Sequence, residues 1–334
     1  MESCPFSRPK SGPLCKKCPH PQDGCAILLK SLCKIQAKRQ RRSIFLLTLD
    51  ANGLCLAQTL DCGQCFRWQP QPDGSWVGVV EGRAVQAWQE DGRLCLAGLA
   101  GPDPAAEPGF WRGYFALDLD YPALLAQMRA AHKGLAACID GAPGIRVLRQ
   151  PFFETLITFL ISQNNNIPRI KGIVDRLCRG LGQPMDGAGR FYAFPTAGRL
   201  AELAEEDLAF LRAGWRSGYI LDAARRAAAG RLDEAALRAA PLDRARACLM
   251  EVRGVGPKVA DCTLLYGLGR WEAYPVDVWM RRAGQALFTR RVKDPAAYLN
   301  RKTGGHAGIA QQYIFAWARS AGLTEKTHKN PACD

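Results

Sequence analysis

The sequence predicts an α+β protein: an N-terminal twisted antiparallel β-sheet domain, followed by an α-helical domain containing a helix-hairpin-helix motif. Three observations carry this. Between Ile44 and Leu96, short β-rich runs are separated by Asp-Gly and Glu-Gly pairs, the pattern of strands joined by hairpins. After Tyr121 the apolar spacing changes to a helical period and keeps it. Within that helical part, Val252 to Lys258 (VRGVGPK) sets two glycines in a turn between two helical segments.

With 334 residues, 48% of them hydrophobic, the chain has room for two or three compact units and enough apolar material for buried cores. No apolar run approaches the roughly 20 residues of a membrane span, and Ala26 to Leu29 is too short for a signal peptide. The chain is therefore expected to be soluble, to have no membrane partner and to work as a monomer. Its fourteen cysteines, spread through apparent helices and strands, fit reduced thiols in an intracellular reducing compartment, the bacterial cytoplasm rather than the nucleus. The net charge of +14 points to a polyanionic partner. Ten Lys or Arg against two acids lie in residues 1–43, however, so more than half of the excess sits there. The case for a nucleic-acid partner must rest on motifs instead.

Residues 1–43 lack sustained periodicity and read as a basic, Cys-containing, disordered extension. Cys15 and Cys18 form a CxxC close to His20 and Cys25, which admits a small zinc knot, but no second well-spaced ligand pair follows and no metal is assigned. Residues 44–121 form the β domain. Strands are expected at Ile44 to Leu49, Leu54 to Leu60, Trp76 to Val80, Ala84 to Trp88 and Leu94 to Leu96, with turns at Asp73-Gly74, Glu81-Gly82 and Asp91-Gly92. Between two of these strands lies Asp61 to Trp68 (DCGQCFRW), where Gly63 reads most simply as a glycine at a bend. A linker rich in Gly, Pro and Ala, Gly98 to Pro108, leads out of the sheet.

Residues 122–322 form the helical domain and 323–334 a C-terminal tail. Helices are expected near Pro122 to Ala131, Phe152 to Ser162, Pro168 to Leu181, Thr196 to Leu203, Glu206 to Arg212, Ser217 to Ala229, Leu242 to Glu251, Pro257 to Tyr266, Asp277 to Ala286 and Ala307 to Ala321. Between two of them, Asn164, Asn165 and Asn166 make an amide run that disfavours a helix interior. No periodic repeat, Walker-type loop or dinucleotide fingerprint interrupts the pattern.

Two chemical demands meet in Val252 to Arg281. Gly254 and Gly256 flank Val255, and glycines in such a turn let backbone N–H groups approach an anionic oxygen. A helix should begin at Pro257 or Lys258, its N-terminal dipole also favouring an anion. Further on, Asp277 stands as a lone carboxylate among Val276, Val278 and Trp279. In a low-dielectric setting a lysine amine can lose its proton and act as a nucleophile, while a nearby carboxylate stabilises developing positive charge. Cys262 lies four residues after Lys258, and Phe315 four after Gln311, so each pair shares one helix face.

These residues, the hairpin with KVADC and the PVDV segment, resemble the helix-hairpin-helix DNA glycosylases, specifically the 8-oxoguanine DNA glycosylases. Matching segments run from about Leu60 to Ala321. The resemblance implies a bifunctional glycosylase and AP lyase acting on double-stranded DNA that contains an oxidised purine, with no cofactor. It implies Lys258 as nucleophile, Asp277 as stabiliser of the cationic transition state, and a lesion pocket of Gly63, Cys262, Gln311 and Phe315, with the Gly63 carbonyl reading the base. Asn164 and Arg169, in NNNIPR, would read the cytosine opposite the lesion. Trp215 and Arg216, in AGWRSGY, resemble the family's aromatic-plus-Arg wedge, with Trp where Tyr is expected.

Two departures stand out. Trp279 occupies the place where eukaryotic members carry His in PVDVH, so a phosphate contact there is expected to be lost or replaced. Only Cys333 follows Cys262, which excludes the four-cysteine cluster of related endonucleases and its iron–sulfur centre. Three other readings remain: a monofunctional glycosylase for alkylated bases, without a lysine adduct; a noncatalytic DNA-binding module, which leaves Asp277 unexplained; and a zinc-dependent adaptor built on the N-terminal cysteines.

Overall fold

Glu81-Gly82 and Asp91-Gly92 both take left-handed backbone, with φ of 45° and 72° in the first pair and 50° and 73° in the second. Two successive positive φ values match the right-handed twist of flanking strands, so each pair closes a tight hairpin. The computed structural model describes residues 46–288 and 292–321. The N-terminal extension, with Cys15, Cys18, His20 and Cys25, and the tail 323–334 lie outside the described residues.

The hairpins join β3 (Trp76–Val80), β4 (Arg83–Glu90) and β5 (Arg93–Ala100); β1 (Leu46–Asp50) and β2 (Trp68–Pro70) complete a five-stranded antiparallel sheet of order β1-β5-β4-β3-β2. The first strand returns to pair with the last, Leu47 opposite Leu96 and Leu49 opposite Leu94. Leu47, Leu49, Val85, Leu94 and Leu96 from the sheet pack with Trp111, Tyr114 and Phe115 in one core. Trp68 lies across the sheet where Gly78 leaves room: a Cβ there would stand 2.3 Å from the indole. Its Nε1–H donates to the Tyr114 hydroxyl at 2.8 Å.

One expected strand is a helix. Leu54 to Leu60 contains α1 (Leu56–Leu60), which buries Leu56, Thr59 and Leu60. Positions i, i+3 and i+4 share a helical face, whereas a strand would have buried alternate residues. The Gly63 segment therefore links this helix to β2, a short strand the sequence pattern does not signal.

The remaining helices are α2 (Pro108–Tyr114), α3 (Tyr121–Ala131), α4 (Lys133–Gly141), α5 (Phe152–Ser162), α6 (Ile167–Leu181), α7 (Ala197–Ala201), α8 (Arg216–Ala228), α9 (Glu234–Ala239), α10 (Leu242–Met250), α11 (Pro257–Cys262), α12 (Val278–Leu287), α13 (Pro295–Lys302) and α14 (Ala307–Ser320). Glu206–Leu211 forms a 3-10 turn, and α11 passes at Thr263–Gly267 into a wider π turn rather than continuing to Tyr266 as a regular helix. Helix α5 is the hub: every residue from Thr155 to Ile161 is buried. The π turn packs against it, with Phe159 and Tyr266 rings stacked at 5.3 Å and 12°. Among the described residues, no helix is long and apolar enough to cross a membrane.

Candidate active site

The hairpin before α11 is held by sterics as much as by hydrogen bonds. Gly254 takes φ +86°, and a Cβ on it would stand 2.1 Å from the Tyr219 ring. The Val255 N–H donates to the Val252 carbonyl at 3.0 Å, and the Val255 side chain is buried. Val255 thus anchors the turn, while the flanking Gly254 and Gly256 N–H groups have no protein acceptor among the described residues. Pro257 then occupies the first helical position, with Lys258 behind it on the opening turn.

Asp277 is fixed by a helix cap. Its Oδ1 accepts from the Met280 N–H at 2.8 Å, so the carboxylate begins α12 and its orientation is set by the backbone. Lys258 and Asp277 together line two adjoining depressions. One is a small cavity walled by Gly63, Phe159, Cys262, Tyr266, Gln311 and Phe315. The other is an open groove bounded by Gln163, Asn164, Trp215, Gly256, Trp279 and Arg282. Amine and carboxylate are the residues common to both walls, at the throat between them. The Lys258 Nζ lies 5.0 Å from the centroid of the Phe159 ring.

Inside the cavity the chemistry is mixed. Gln311 is buried and its Oε1 has no hydrogen-bond partner among the described residues. A buried amide oxygen left without a donor costs about 1 to 3 kcal/mol, so this one has an acceptor position to offer to a group entering the cavity. Phe315, half-buried, offers a ring face. Burial pushes the Cys262 thiol up to about 11 against the opposing pull of the Lys258 charge, so it stays a neutral packing group. Gly63 takes φ +85°, and a Cβ there would make only ordinary contacts at 3.6 Å with Ile167 and Phe315. Its backbone conformation, rather than lack of space, is what demands glycine.

On the far wall the asparagine run is a loop. Asn164 takes φ +46° and is exposed, Asn165 donates to the Ile161 carbonyl at 3.1 Å, and Asn166 caps α6 by accepting from the Arg169 N–H at 3.0 Å. Trp215 is 51% exposed, so it is not a core aromatic of the helix end. It leans edge-on against Tyr219, centroids 5.1 Å apart. Arg216 is buried beneath it, guanidinium 4.2 Å from the indole centroid. Its Nε donates to Gln163 O at 3.0 Å, Nη1 to Ala213 O at 3.0 Å and Nη2 to Asn164 O at 3.1 Å. Arg216 therefore clamps the loop to α8, while Arg169 stays exposed with one long bond, 3.4 Å, to Arg212 O.

Of the residues singled out from sequence, Gly63, Cys262, Gln311 and Phe315 line the cavity, Asn164, Trp215 and Gly256 the groove, and Lys258 and Asp277 both, whereas Arg169 and Arg216 line neither. Several partners were not legible: Phe159 and Tyr266 on the cavity wall, and Arg282, whose guanidinium sits 4.8 Å from the Trp279 ring centroid. Helical spacing marks Phe159 and Tyr266 only as core, and the i, i+3 step from Trp279 to Arg282 is the one local signal for that stack. Among the described residues, no group of three His, Cys, Asp or Glu could hold a metal ion.

Residues 46–156 match the family described as 8-oxoguanine DNA glycosylase, N-terminal domain. The chain is 31% identical over 261 residues to an N-glycosylase/DNA lyase of Saccharomyces cerevisiae, covering 71% of this chain and 69% of that protein. An Arabidopsis thaliana N-glycosylase/DNA lyase is 32% identical over 292 residues, 81% of this chain and 79% of the relative. Among solved structures, an 8-oxoguanine glycosylase/lyase of Clostridium acetobutylicum, in complex with double-stranded DNA containing cytosine opposite 8-oxoguanine, superposes with a TM-score of 0.74 at 31% identity. That likeness spans 81% of this chain and 93% of the other.

Proposed function

The chain belongs to the 8-oxoguanine DNA glycosylase family of N-glycosylase/DNA lyases, and from that premise we propose that it excises 8-oxoguanine from duplex DNA through a Schiff base on Lys258. The observation that carries this reading is the position of Lys258 and Asp277 at the throat between cavity and groove. A base swung out of a duplex in the groove enters the cavity only by bringing its sugar past that throat.

The chemistry then follows from the groups present. The amine lone pair of Lys258 attacks C1′, the C1′–N9 bond breaks, and the base leaves with the bonding pair and a proton. Asp277, held by its cap, stabilises positive charge developing on the sugar without reorganising. Opening of the sugar ring yields an imine, which acidifies the C2′ proton; its removal expels the 3′ phosphate. The Gly63 carbonyl accepts the N7–H that only the oxidised base carries, since guanine N7 is itself an acceptor. For a buried group that asymmetry is worth about 1 to 3 kcal/mol. Gln311 Oε1 accepts from the N–H edge of the purine, and Phe315 stacks on its face.

In the groove the exposed Trp215 fills the space left by the extruded base and offers a stacking surface. Asn164 and Arg169 read the orphaned cytosine, whose N3 and O2 acceptors suit an all-donor guanidinium, whereas adenine presents an amino group. The hairpin amides of Gly254 and Gly256 bind a phosphate.

Borohydride trapping on a duplex with one 8-oxoguanine opposite cytosine tests the reading. Native protein should give a covalent protein–DNA species and Lys258→Gln none, because only a primary amine forms a reducible imine. An equal adduct yield in Lys258→Gln would remove the nucleophile, and base release without any adduct in native protein would favour a monofunctional glycosylase.

A further inference from the structure

Three successive carbonyls run through the Gly63 segment, and they are treated differently. The Cys62 carbonyl accepts from Gln312 Nε2 at 3.2 Å, and the Gln64 carbonyl accepts from Gln150 Nε2 at 2.7 Å. The Gly63 carbonyl between them accepts nothing among the described residues, and Gly63 lines the cavity. Each residue that holds an outer carbonyl is itself tied to Tyr266, Gln312 through its side chain and Gln150 through its backbone. The Tyr266 hydroxyl donates to Gln312 Oε1 at 2.6 Å, which orients that amide with its NH2 toward Cys62. The Gln150 backbone N–H donates to the Tyr266 carbonyl at 2.7 Å. Gln64 completes the frame: its Nε2 donates to Thr59 O at 2.9 Å and Arg146 O at 2.8 Å, and its Oε1 accepts from the Leu148 N–H at 2.9 Å.

We infer that Gln312, oriented by Tyr266, and Gln150 are positioning residues for lesion discrimination: by pinning the two outer carbonyls they fix the direction of the Gly63 carbonyl. A left-handed glycine has soft φ and ψ, so its carbonyl would otherwise reorient at little cost. Selection by a hydrogen bond needs the acceptor held within a few tenths of an ångström of its line to N7, since these bonds weaken steeply as they bend. Tyr266 also links this frame to the nucleophile's side, because its ring stacks on Phe159, over which Lys258 Nζ lies. The inference rests on the Gly63 reading proposed above.

The test compares single-turnover excision of 8-oxoguanine with that of 8-methoxyguanine, whose N7 carries no hydrogen, both opposite cytosine, and strand cleavage at a preformed abasic site. Gln312→Met and Gln150→Met should each lower the ratio of the two excision rates at least tenfold, with cleavage at the abasic site within threefold of native. If Gln312→Met is inactive on the abasic site, Tyr266→Phe, which deletes one oxygen, decides by the same ratio, which should fall at least threefold. A ratio within twofold of native in the variants that retain abasic-site cleavage, or parallel loss of excision and abasic-site cleavage in Tyr266→Phe, overturns the positioning role alone. A ratio near one in the native protein overturns the Gly63 reading, and the positioning role with it.

Discussion

Gly254→Ala and Gly256→Ala form a matched pair that separates two reasons for a glycine. At position 254 the left-handed backbone penalises an L-residue by about 1 to 2 kcal/mol. The new Cβ would also stand 2.1 Å from Tyr219 Cδ2, a half-buried ring that would have to move; overpacking of this kind costs roughly 1 to 3 kcal/mol. Reduced entropy of the unfolded chain returns about 0.4 to 1 kcal/mol. The net expectation is a loss of about 1 to 5 kcal/mol in unfolding free energy, with Trp215 disturbed as well, because Tyr219 is its neighbour. At position 256 nothing lies within 4 Å of an added Cβ and φ is −94°. The slight preference for Gly over Ala at a helix cap roughly offsets the entropy gain, so stability should stay within about 0.5 kcal/mol of native. Its DNA binding should nevertheless weaken, since the methyl group would crowd the phosphate oxygen proposed to meet this turn, while the slope of log K against log salt should hold, because a neutral N–H neutralises no phosphate charge. Urea denaturation and salt-dependent binding to an undamaged duplex measure both quantities. A Gly254→Ala protein as stable as native would refute the packing argument; native affinity in Gly256→Ala would refute the phosphate contact.

Asp277→Asn should keep native stability within about 0.5 kcal/mol, because Asn caps a helix as well as Asp, yet slow single-turnover excision by roughly 10²-fold or more; Asp277→Ala should lose about 1 kcal/mol of stability besides. Arg216→Met should destabilise by about 2 to 4 kcal/mol in denaturant titrations, because three carbonyls lose their donor. The exposed Arg169→Met should be near neutral in stability and instead narrow an excision preference for cytosine over adenine that in the native protein is expected to reach at least about tenfold, roughly 1.4 kcal/mol. Burial raises Cys62 and Cys178 to about 12 and Cys262 to about 11. Unfolded thiols release their protons near pH 8.5 and the folded ones only later, so stability should be level in this respect below pH 8 and fall between about pH 9 and 11. Each thiol contributes at most about 1.4 kcal/mol per pH unit, and urea midpoints that stay flat across that range would contradict the burial.

What the sequence by itself determined is what depends on near neighbours. The Glu81-Gly82 and Asp91-Gly92 turns, the apolar period of Phe152–Ser162 and the Gly-Val-Gly-Pro-Lys hairpin are each set within a few residues, so they could be read directly. Asp277 stood out as a lone carboxylate before a helix, although its capping bond was not foreseen. Short helices escaped despite local signals: Asp294 followed by Pro295 is an N-cap with proline at the first position, and Asp233 caps α9 with Glu234 in its first turn, but neither helix is long enough to declare a period. Tertiary structure alone decided the rest. Whether Leu56–Leu60 is strand or helix depended on what its leucines could pack against, and the burial of Arg216 on carbonyls 52 and 53 residues away. The frame around Gly63 joins Gln312 to Cys62 across 250 residues and Tyr266 to Gln312 across 46. Such contacts leave no trace in local spacing, because a side-chain amide that fixes a distant carbonyl looks, in sequence, like any glutamine in a helix.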